Sequence, residues 1–146
     1  MKKLLTIGLA ILSASGCIIY SDEGNDRIDP VVDVYVNSVP MVLWADAGCY
    51  YDRSFYDDIW YFEAEVDDFD GPFDVVSVWA DVYDEWDGSW VESFELSPTS
   101  DPHIWFSDWL GSSTFLDCYY DHYTVDIVAY DSFDEYDYTT VWARTY

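Results

Sequence analysis

The sequence predicts an all-β fold, an antiparallel β-sandwich of about seven short strands. Apolar and polar residues alternate with a period of two through most of the chain beyond residue 30, as they do in strands with one buried face. Turn signals separate the alternating runs, and Asp70-Gly71-Pro72 and Asp87-Gly88 are the clearest of them. No segment shows a convincing helical period, and short strands with regularly spaced turns are typical of sandwiches.

The first runs occupy residues 32–36 and 39–45, and Pro40 suits an edge position in the second of them. The next run, residues 59–66, has Glu63 and Glu65 on its polar face. Its opposite face is predicted to be buried and carries Trp60, Phe62, Ala64 and Val66.

The middle of the chain supplies two more runs, residues 75–83 and 90–96. Alternation in the first places Trp79 opposite the side chains that are predicted to point inward, which are Val76, Val78, Ala80 and Val82. The second run is predicted to place Trp90, Phe94 and Leu96 on one face.

Three runs complete the sandwich: a short aromatic one over residues 104–109, then residues 123–130 and 138–143. The run over residues 123–130 alternates most regularly. Its predicted inward face consists of Tyr123, Val125, Ile127 and Ala129.

The N-terminal segment has the pattern of an export signal, which is set apart from the fold. Lys2 and Lys3 precede an apolar stretch over residues 4–12, which is too short to span a membrane, and small residues then lead to Cys17. This pattern resembles a bacterial lipoprotein signal, although Ala14 stands where that signal more often has Leu. The resemblance implies cleavage after residue 16 and lipidation of Cys17, with an ordinary secretory signal as the alternative.

Three segments follow from this interpretation: a signal peptide over residues 1–16, an acidic tether over 17–30 and a sandwich domain over 31–146. The lipid on Cys17 would anchor the protein to a membrane in the cell envelope. Ile18, the next residue, is not Asp, and under the sorting rule of the lipoproteins that this signal resembles this favours the outer membrane.

The mature chain is strongly acidic. The whole sequence has a formal charge of −25, and loss of Lys2 and Lys3 with the signal makes it −27. Such a chain should repel nucleic acid and attract cations and basic partners. Aromatic residues make up 21% of the sequence, which argues against disorder. Adaptation to a salty medium is an alternative explanation of the charge.

Cys49 and Cys118 are the two cysteines that remain if Cys17 carries lipid. A disulfide between them is the expected state in an exported protein. If the strands end and begin as predicted, both residues lie in loops at one end of the sandwich, and the bridge would lie at the periphery rather than in the core.

The segment Asp121-His122-Tyr123-Thr124-Val125 resembles the tyrosine corner of immunoglobulin-like domains, in which a tyrosine hydroxyl bonds to backbone upstream. The run through Asp131 is similar to the final strands of bacterial immunoglobulin-like, PKD and cadherin-like repeats, and residues 66–71 resemble their acidic loop between strands B and C. The resemblance covers residues 40–143 and implies an immunoglobulin-like sandwich. Val125 stands where true immunoglobulin domains have the strand F cysteine, and Trp79 is compatible with their core tryptophan.

Calcium is the first ligand that the sequence suggests. The loop between the runs over residues 59–66 and 75–83 and the loop between the runs over residues 123–130 and 138–143 are expected to lie at the same end of the sandwich. Both contain carboxylates, and Ca²⁺ prefers such hard oxygen ligands. The candidate ligands are Asp67, Asp68, Asp70, Asp131 and Asp134. With 30 acidic residues in the chain, solvated acidic turns are the alternative.

Carbohydrate binding is the second suggestion, because sugar-binding sandwiches use exposed aromatic faces beside carboxylates. The candidate aromatic residues are Trp86, Trp90, Trp105, Trp109 and Tyr119. Core packing and cross-strand pairing are the alternative for each of them.

Catalysis has little support. His103 and His122 are expected to be structural, and no nucleophile-elbow, zinc-protease or phosphate-loop motif occurs. Paired carboxylates could serve glycoside hydrolysis, but acids are too common here for a pair to be informative. The sequence therefore favours a membrane-anchored, non-catalytic surface or envelope lipoprotein with an acidic interaction domain and a protein or glycan partner. A Ca²⁺- or carbohydrate-binding module is the alternative, and a glycoside hydrolase is a remote one.

Overall fold

The structure is a computed structural model that describes residues 36–146. The predicted signal peptide, the tether with Cys17 and most of the opening run over residues 32–36 lie outside the described residues. Within residues 36–146, no helix has the length and apolar character that crossing a bilayer requires.

The fold is all-β, as predicted, and every strand pairing within it is antiparallel. Residues 36–146 contain seven strands: β1 (Met41–Asp52), β2 (Asp57–Asp67), β3 (Val75–Asp84), β4 (Trp90–Pro98), β5 (Ile104–Leu110), β6 (Tyr123–Asp131) and β7 (Tyr136–Trp142). A 3₁₀ turn, Gly111–Ser113, follows β5.

The strands form one layer of β1, β2 and β5 and a second layer of β4, β3, β6 and β7. A two-residue pairing between β4 and β5 joins the layers, so that the hydrogen-bonded order is β1-β2-β5-β4-β3-β6-β7. An isolated parallel bridge joins Gly48 of β1 to Arg144, which follows the end of β7.

The core lies between the layers and is built by the alternation that the sequence shows. The four predicted inward residues of β2 and the three aliphatic ones of β6 are fully buried, and Tyr123 is nearly so. Phe62 stacks on Phe94 with ring centroids 4.7 Å apart, and Trp60 meets Tyr123 edge-on at 5.8 Å. These contacts join the two layers.

Two predicted side-chain directions are wrong, and a β-bulge causes each error. An irregularity between Val75 and Ser77 buries Val75 and leaves Val76 56% exposed, where strict alternation placed Val76 inside. A second bulge, between Val82 and Tyr83, sets Trp90 opposite Tyr83 and exposes it, although Phe94 and Leu96 are buried as predicted.

Trp79 is not the core tryptophan of this sandwich. It is half-buried on the outer side of β3, opposite the side on which Val78 and Ala80 are buried. Trp60 of β2 and Trp105 of β5 are the buried tryptophans. The side of β3 on which Trp79 lies was therefore predicted correctly by strict alternation and not by the immunoglobulin analogy.

The tyrosine corner is present. The backbone N–H of Asp117 donates a hydrogen bond of 3.2 Å to the hydroxyl of Tyr123 at the start of β6. Tyr123 is buried, so this bond satisfies a hydroxyl that would otherwise lose its partner on folding.

Cys49 and Cys118 lie together as a disulfide, with Cα atoms 5.8 Å apart. The predicted loop position of Cys49 is wrong, because β1 extends to Asp52 and Cys49 lies within it, while Cys118 precedes β6. Cys118 belongs to the hydrophobic core, so the bridge lies at the core edge instead of the periphery. It closes a separation of 69 residues, for which chain entropy suggests about 4 kcal/mol of stabilisation.

Candidate cation site

Two acidic loops and the segment before β1 meet at one end of the sandwich. The loop between β2 and β3 begins at Asp68, which is 3% exposed, and the loop between β6 and β7 follows Asp131, which is fully buried. Within residues 36–146, these are the two buried charged residues. Buried carboxylates require hydrogen bonds or a cation, so their surroundings are the natural place to search for a site.

A tight turn shapes the loop between β2 and β3. The Asp68 carboxylate accepts the Asp70 amide at 2.7 Å, and the Gly71 and Asp74 amides bond to backbone carbonyls at 2.9 Å. Gly71 has φ of 112°, which L side chains rarely adopt, so glycine suits this position. The turn places one carboxylate oxygen from each of Asp68, Asp70 and Asp74 within 4.8 Å of the others.

The loop between β6 and β7 is tied to this turn. The Ser132 hydroxyl donates a 2.5 Å hydrogen bond to Oδ1 of Asp74. Asp131 holds its own loop closed, because its Oδ1 accepts the amides of Phe133 and Glu135, each at 2.8 Å. The two loops are therefore linked by a side-chain contact.

The segment before β1 is attached to both loops. The Asn37 side-chain amide donates to Oδ2 of Asp131 at 2.6 Å and to Glu135 at 3.0 Å. The Ser38 amide donates to Oδ2 of Asp70 at 2.7 Å. Three stretches that are distant in sequence thus converge at the acidic end.

Several oxygen atoms at this end are buried without a hydrogen-bond donor. Five buried side-chain polar atoms lack a partner in the part of the chain that the structure describes, and three of them are here: Oδ2 of Asp68, Oδ2 of Asp74 and Oδ1 of Asn37. The other two are indole nitrogens, of Trp60 and Trp105. Lone-pair acceptors without donors are the arrangement that a hard cation satisfies.

The electrostatics of the two buried carboxylates differ. Burial, together with the charges of Asp70, Asp74 and Asp131, raises the pKa of Asp68 above its usual value, although the Asp70 amide opposes this.

Burial also acts to raise the pKa of Asp131, but hydrogen bonds from Asn37, Glu135 and Phe133 outweigh it and the pKa is lowered. Asp131 is stabilised as an anion, whereas Asp68 lacks the positive charge that would stabilise it.

The structure brings two of the five carboxylates that the sequence suggested, Asp68 and Asp70, into the cluster. Asp131 lies outside the cluster but near enough for its charge to act on Asp68. Asp67 is directed elsewhere, since its Oδ1 accepts the Asp68 amide and lies 3.4 Å from Nδ1 of His103. Asp134 is exposed in the turn between β6 and β7, with φ of 62°, and is not in the carboxylate cluster.

Sequence reasoning missed Asp74 and Asn37. Asp74 could have been found from the spacing Asp70-Gly71-Pro72-Phe73-Asp74, because a turn at glycine returns the chain to its start. Asn37 carries no such signal, since it lies 94 residues before Asp131, whose carboxylate it contacts.

The four tryptophans suggested for carbohydrate binding lie in different places. Trp105 is buried in the core, and Trp109 packs on Phe94 at 5.6 Å. Trp86 meets His122 in the turn between β3 and β4, and Trp90 lies on the outer side of β4. Tyr119 contacts Tyr146. These residues do not form one sugar platform.

Comparison with known proteins identifies no relative, since no family model, curated protein or solved structure matches this chain.

Proposed function

We propose that this protein is a lipid-anchored, non-catalytic component of the bacterial cell envelope and that its sandwich binds Ca²⁺ at the acidic end. The N-terminal pattern that ends at Cys17 supports the anchoring and the export. The observation that carries the Ca²⁺ proposal is Oδ2 of Asp68, a carboxylate oxygen without a hydrogen-bond donor in a residue that is 3% exposed.

The ligand set favours Ca²⁺ among common cations. Asp68, Asp70 and Asp74 supply carboxylate oxygens, and Oδ1 of Asn37 supplies an amide oxygen. Ca²⁺ accepts six to eight oxygens in flexible geometry, whereas Mg²⁺ requires a nearly ideal octahedron and keeps several waters. Because these ligands come from an irregular turn and a separate segment, a cation that tolerates varied geometry fits them best.

Binding would have a structural consequence. The ligand residues belong to the segment before β1 and to the loop between β2 and β3, and the Asp74 contact with Ser132 connects them to the loop after β6. A cation would therefore hold the point at which the chain enters the sandwich. The domain would be most rigid in a Ca²⁺-rich exterior.

The non-catalytic part of the proposal depends on the residues that a reaction would need. Both described cysteines are joined in the disulfide. His122 lies between Glu85 and Asp121, at 3.4 and 3.3 Å, on the surface. These groups form a disulfide and surface contacts between an imidazole and carboxylates, which supports a non-catalytic role.

Cys17→Ser tests the anchoring. The wild-type protein should sediment with membranes and be released by detergent, whereas the variant should be soluble in the exported fraction. A variant that stays with the membrane would contradict lipid anchoring through Cys17.

Thermal unfolding in Ca²⁺ and in Mg²⁺ tests the cation site. At a Ca²⁺ concentration of 100 times Kd, binding should stabilise the domain by about 2.7 kcal/mol. Asp74→Asn should remove most of this shift, and Asp134→Asn, a matched change outside the cluster, should retain it. An equal shift with Mg²⁺, or an unchanged response of Asp74→Asn, would contradict the proposal.

A further inference from the structure

The outer side of the layer β4-β3-β6-β7 carries a row of paired side chains. Val78, Ala80 and Val82 are fully buried, so the alternate residues Trp79, Asp81 and Tyr83 point to the outer side. The register of β3 with β6, and of β6 with β7, places further side chains in line with these three residues. We call this surface the outer face and define it by Trp79, Asp81, Tyr83, Asp126, Tyr138 and Trp142.

Two carboxylates face each other at its centre. Asp81 of β3 is directly opposite Asp126 of β6. Like charges in this position destabilise a sheet. Hydroxyls relieve part of the cost, because Ser93 donates to Asp81 and Thr140 donates to Asp126 at 2.6 Å.

The described chain supplies no cation to this pair. Among residues 36–146 the arginines are Arg53 and Arg144, and the Arg144 guanidinium pairs with Asp46 and the Tyr61 hydroxyl. No ion pair of an arginine or histidine with Asp81 or Asp126 occurs in this part of the chain. Within residues 36–146, therefore, no basic side chain compensates the charge of this pair.

Aromatic rings flank the carboxylates on both sides. Trp79 is in line with Tyr138 through Val128, and Tyr83 is in line with Trp142 through Thr124. At about 3.3 Å per residue, the two aromatic rows are about 13 Å apart, with the carboxylates midway. Tyr138 and Trp142 are each 56% exposed. Contiguous patches of large, exposed apolar side chains usually mark interaction surfaces.

We propose that the outer face binds a basic protein segment, with an arginine placed between Asp81 and Asp126 and neighbouring basic side chains on the aromatic rows. A guanidinium can bond to two carboxylates and stack on an aromatic ring, so one side chain uses both features of the surface. Cation–π contact with the exposed rings adds a further attraction. The strongly negative domain would also steer a basic partner toward it.

This surface is separate from the candidate cation site. Asp126 and Asp131 are five residues apart on β6, a distance of about 16 Å along the strand. The proposal therefore does not depend on Ca²⁺ binding, and either can fail alone.

Binding of the synthetic peptide (Arg-Gly)₄, measured by calorimetry at low salt, tests the proposal. Asp81→Asn with Asp126→Asn should weaken binding at least tenfold. Glu63→Gln with Glu65→Gln removes the same charge from the opposite layer and should weaken it less than twofold. The peptide (Lys-Gly)₄ should bind more weakly, since an ammonium neither bridges two carboxylates in a planar fork nor stacks as well.

A second pair of variants separates the aromatic contribution from folding. Tyr138 and Trp142 are exposed, so Tyr138→Ala with Trp142→Ala should leave the unfolding midpoint nearly unchanged and weaken peptide binding at least fivefold. Equal losses in the two carboxylate double variants would show general charge attraction and overturn the proposal. Glycan binding that needs Trp142, without peptide binding, would overturn it in favour of a sugar ligand.

Discussion

The side-chain amide of Asn37 donates a 2.6 Å hydrogen bond to the carboxylate of Asp131, which lies 94 residues later in the chain. Asp131 is fully buried at the end of β6, and the same carboxylate accepts two backbone amides of the following turn. One buried anion thereby organises the loop between β6 and β7 and holds the segment that enters the sandwich.

Asp131→Asn should destabilise the domain by about 2–3 kcal/mol at pH 7. A neutral amide would replace the charged acceptor of these hydrogen bonds and would face the side-chain amide of Asn37. The pKa of Asp131 is lowered in the fold, so its stabilisation is present above pH 3.8 and is lost as the pH falls through the folded pKa. The difference between variant and wild type should shrink at acid pH. Urea unfolding at pH 7 and pH 3 measures it, with Asp134→Asn as control.

Asp68 should give the opposite pH dependence. Its pKa is raised in the fold, so the cation-free domain gains stability as the pH falls and loses it as the pH rises through the folded pKa. Asp68→Asn should therefore stabilise the cation-free domain at neutral pH and remove this component. Urea unfolding in chelator from pH 4 to pH 8 tests it, and parallel pH profiles of variant and wild type would contradict it.

Tyr123→Phe should cost about 1–2 kcal/mol, because the Asp117 amide loses the hydroxyl that accepts its hydrogen bond. Tyr130→Phe, on the same strand, is the matched control. The Tyr130 hydroxyl makes no hydrogen bond to the described residues, so its loss should change the free energy of unfolding little. Equal effects of the two changes would argue against a stabilising tyrosine corner.

Gly48→Ala should destabilise the domain by about 1–3 kcal/mol. A Cβ at Gly48 would lie 2.8 Å from the backbone oxygen of Arg144 and 2.9 Å from the Tyr61 hydroxyl, where β1 and β7 meet. The backbone at Arg144 cannot rotate away as a side chain can. Chemical denaturation measures the cost, and a change below about 0.3 kcal/mol would show that the two strands separate easily at this point.

Most of the strand framework could be predicted because apolar alternation fixes the buried face wherever pairing is regular. On β6 every second residue from Tyr123 is buried. The prediction failed at Val76 and Trp90, where bulges add a residue that only pairing with a neighbouring strand reveals. It also ended β1 too early, since the residues of its second half, 47–52, do not alternate between buried and exposed, although β2 pairs with them throughout.

The candidate site was predicted only in part, because some of its residues follow from the local sequence and others depend on contacts between distant segments. Asp68 and Asp70 follow directly from the end of β2 and the turn at Gly71. Predicting Asp74 requires the geometry of that turn. Predicting Asn37 requires the position of a segment that has no periodic pattern. The Asp81–Asp126 pair depends on the register between β3 and β6, which one sequence does not provide.

Calorimetric titration of Ca²⁺ into the mature domain and into Asp68→Asn tests whether the acidic end of the sandwich is a calcium site. The wild-type domain should bind Ca²⁺ at one site, more tightly than Mg²⁺, with affinity that falls as the pH falls because protons compete for Asp68. Asp68→Asn should bind at least tenfold more weakly while remaining folded. Equal Ca²⁺ binding by the folded variant, or wild-type binding no tighter than that of Mg²⁺, would contradict a calcium site at this end of the sandwich.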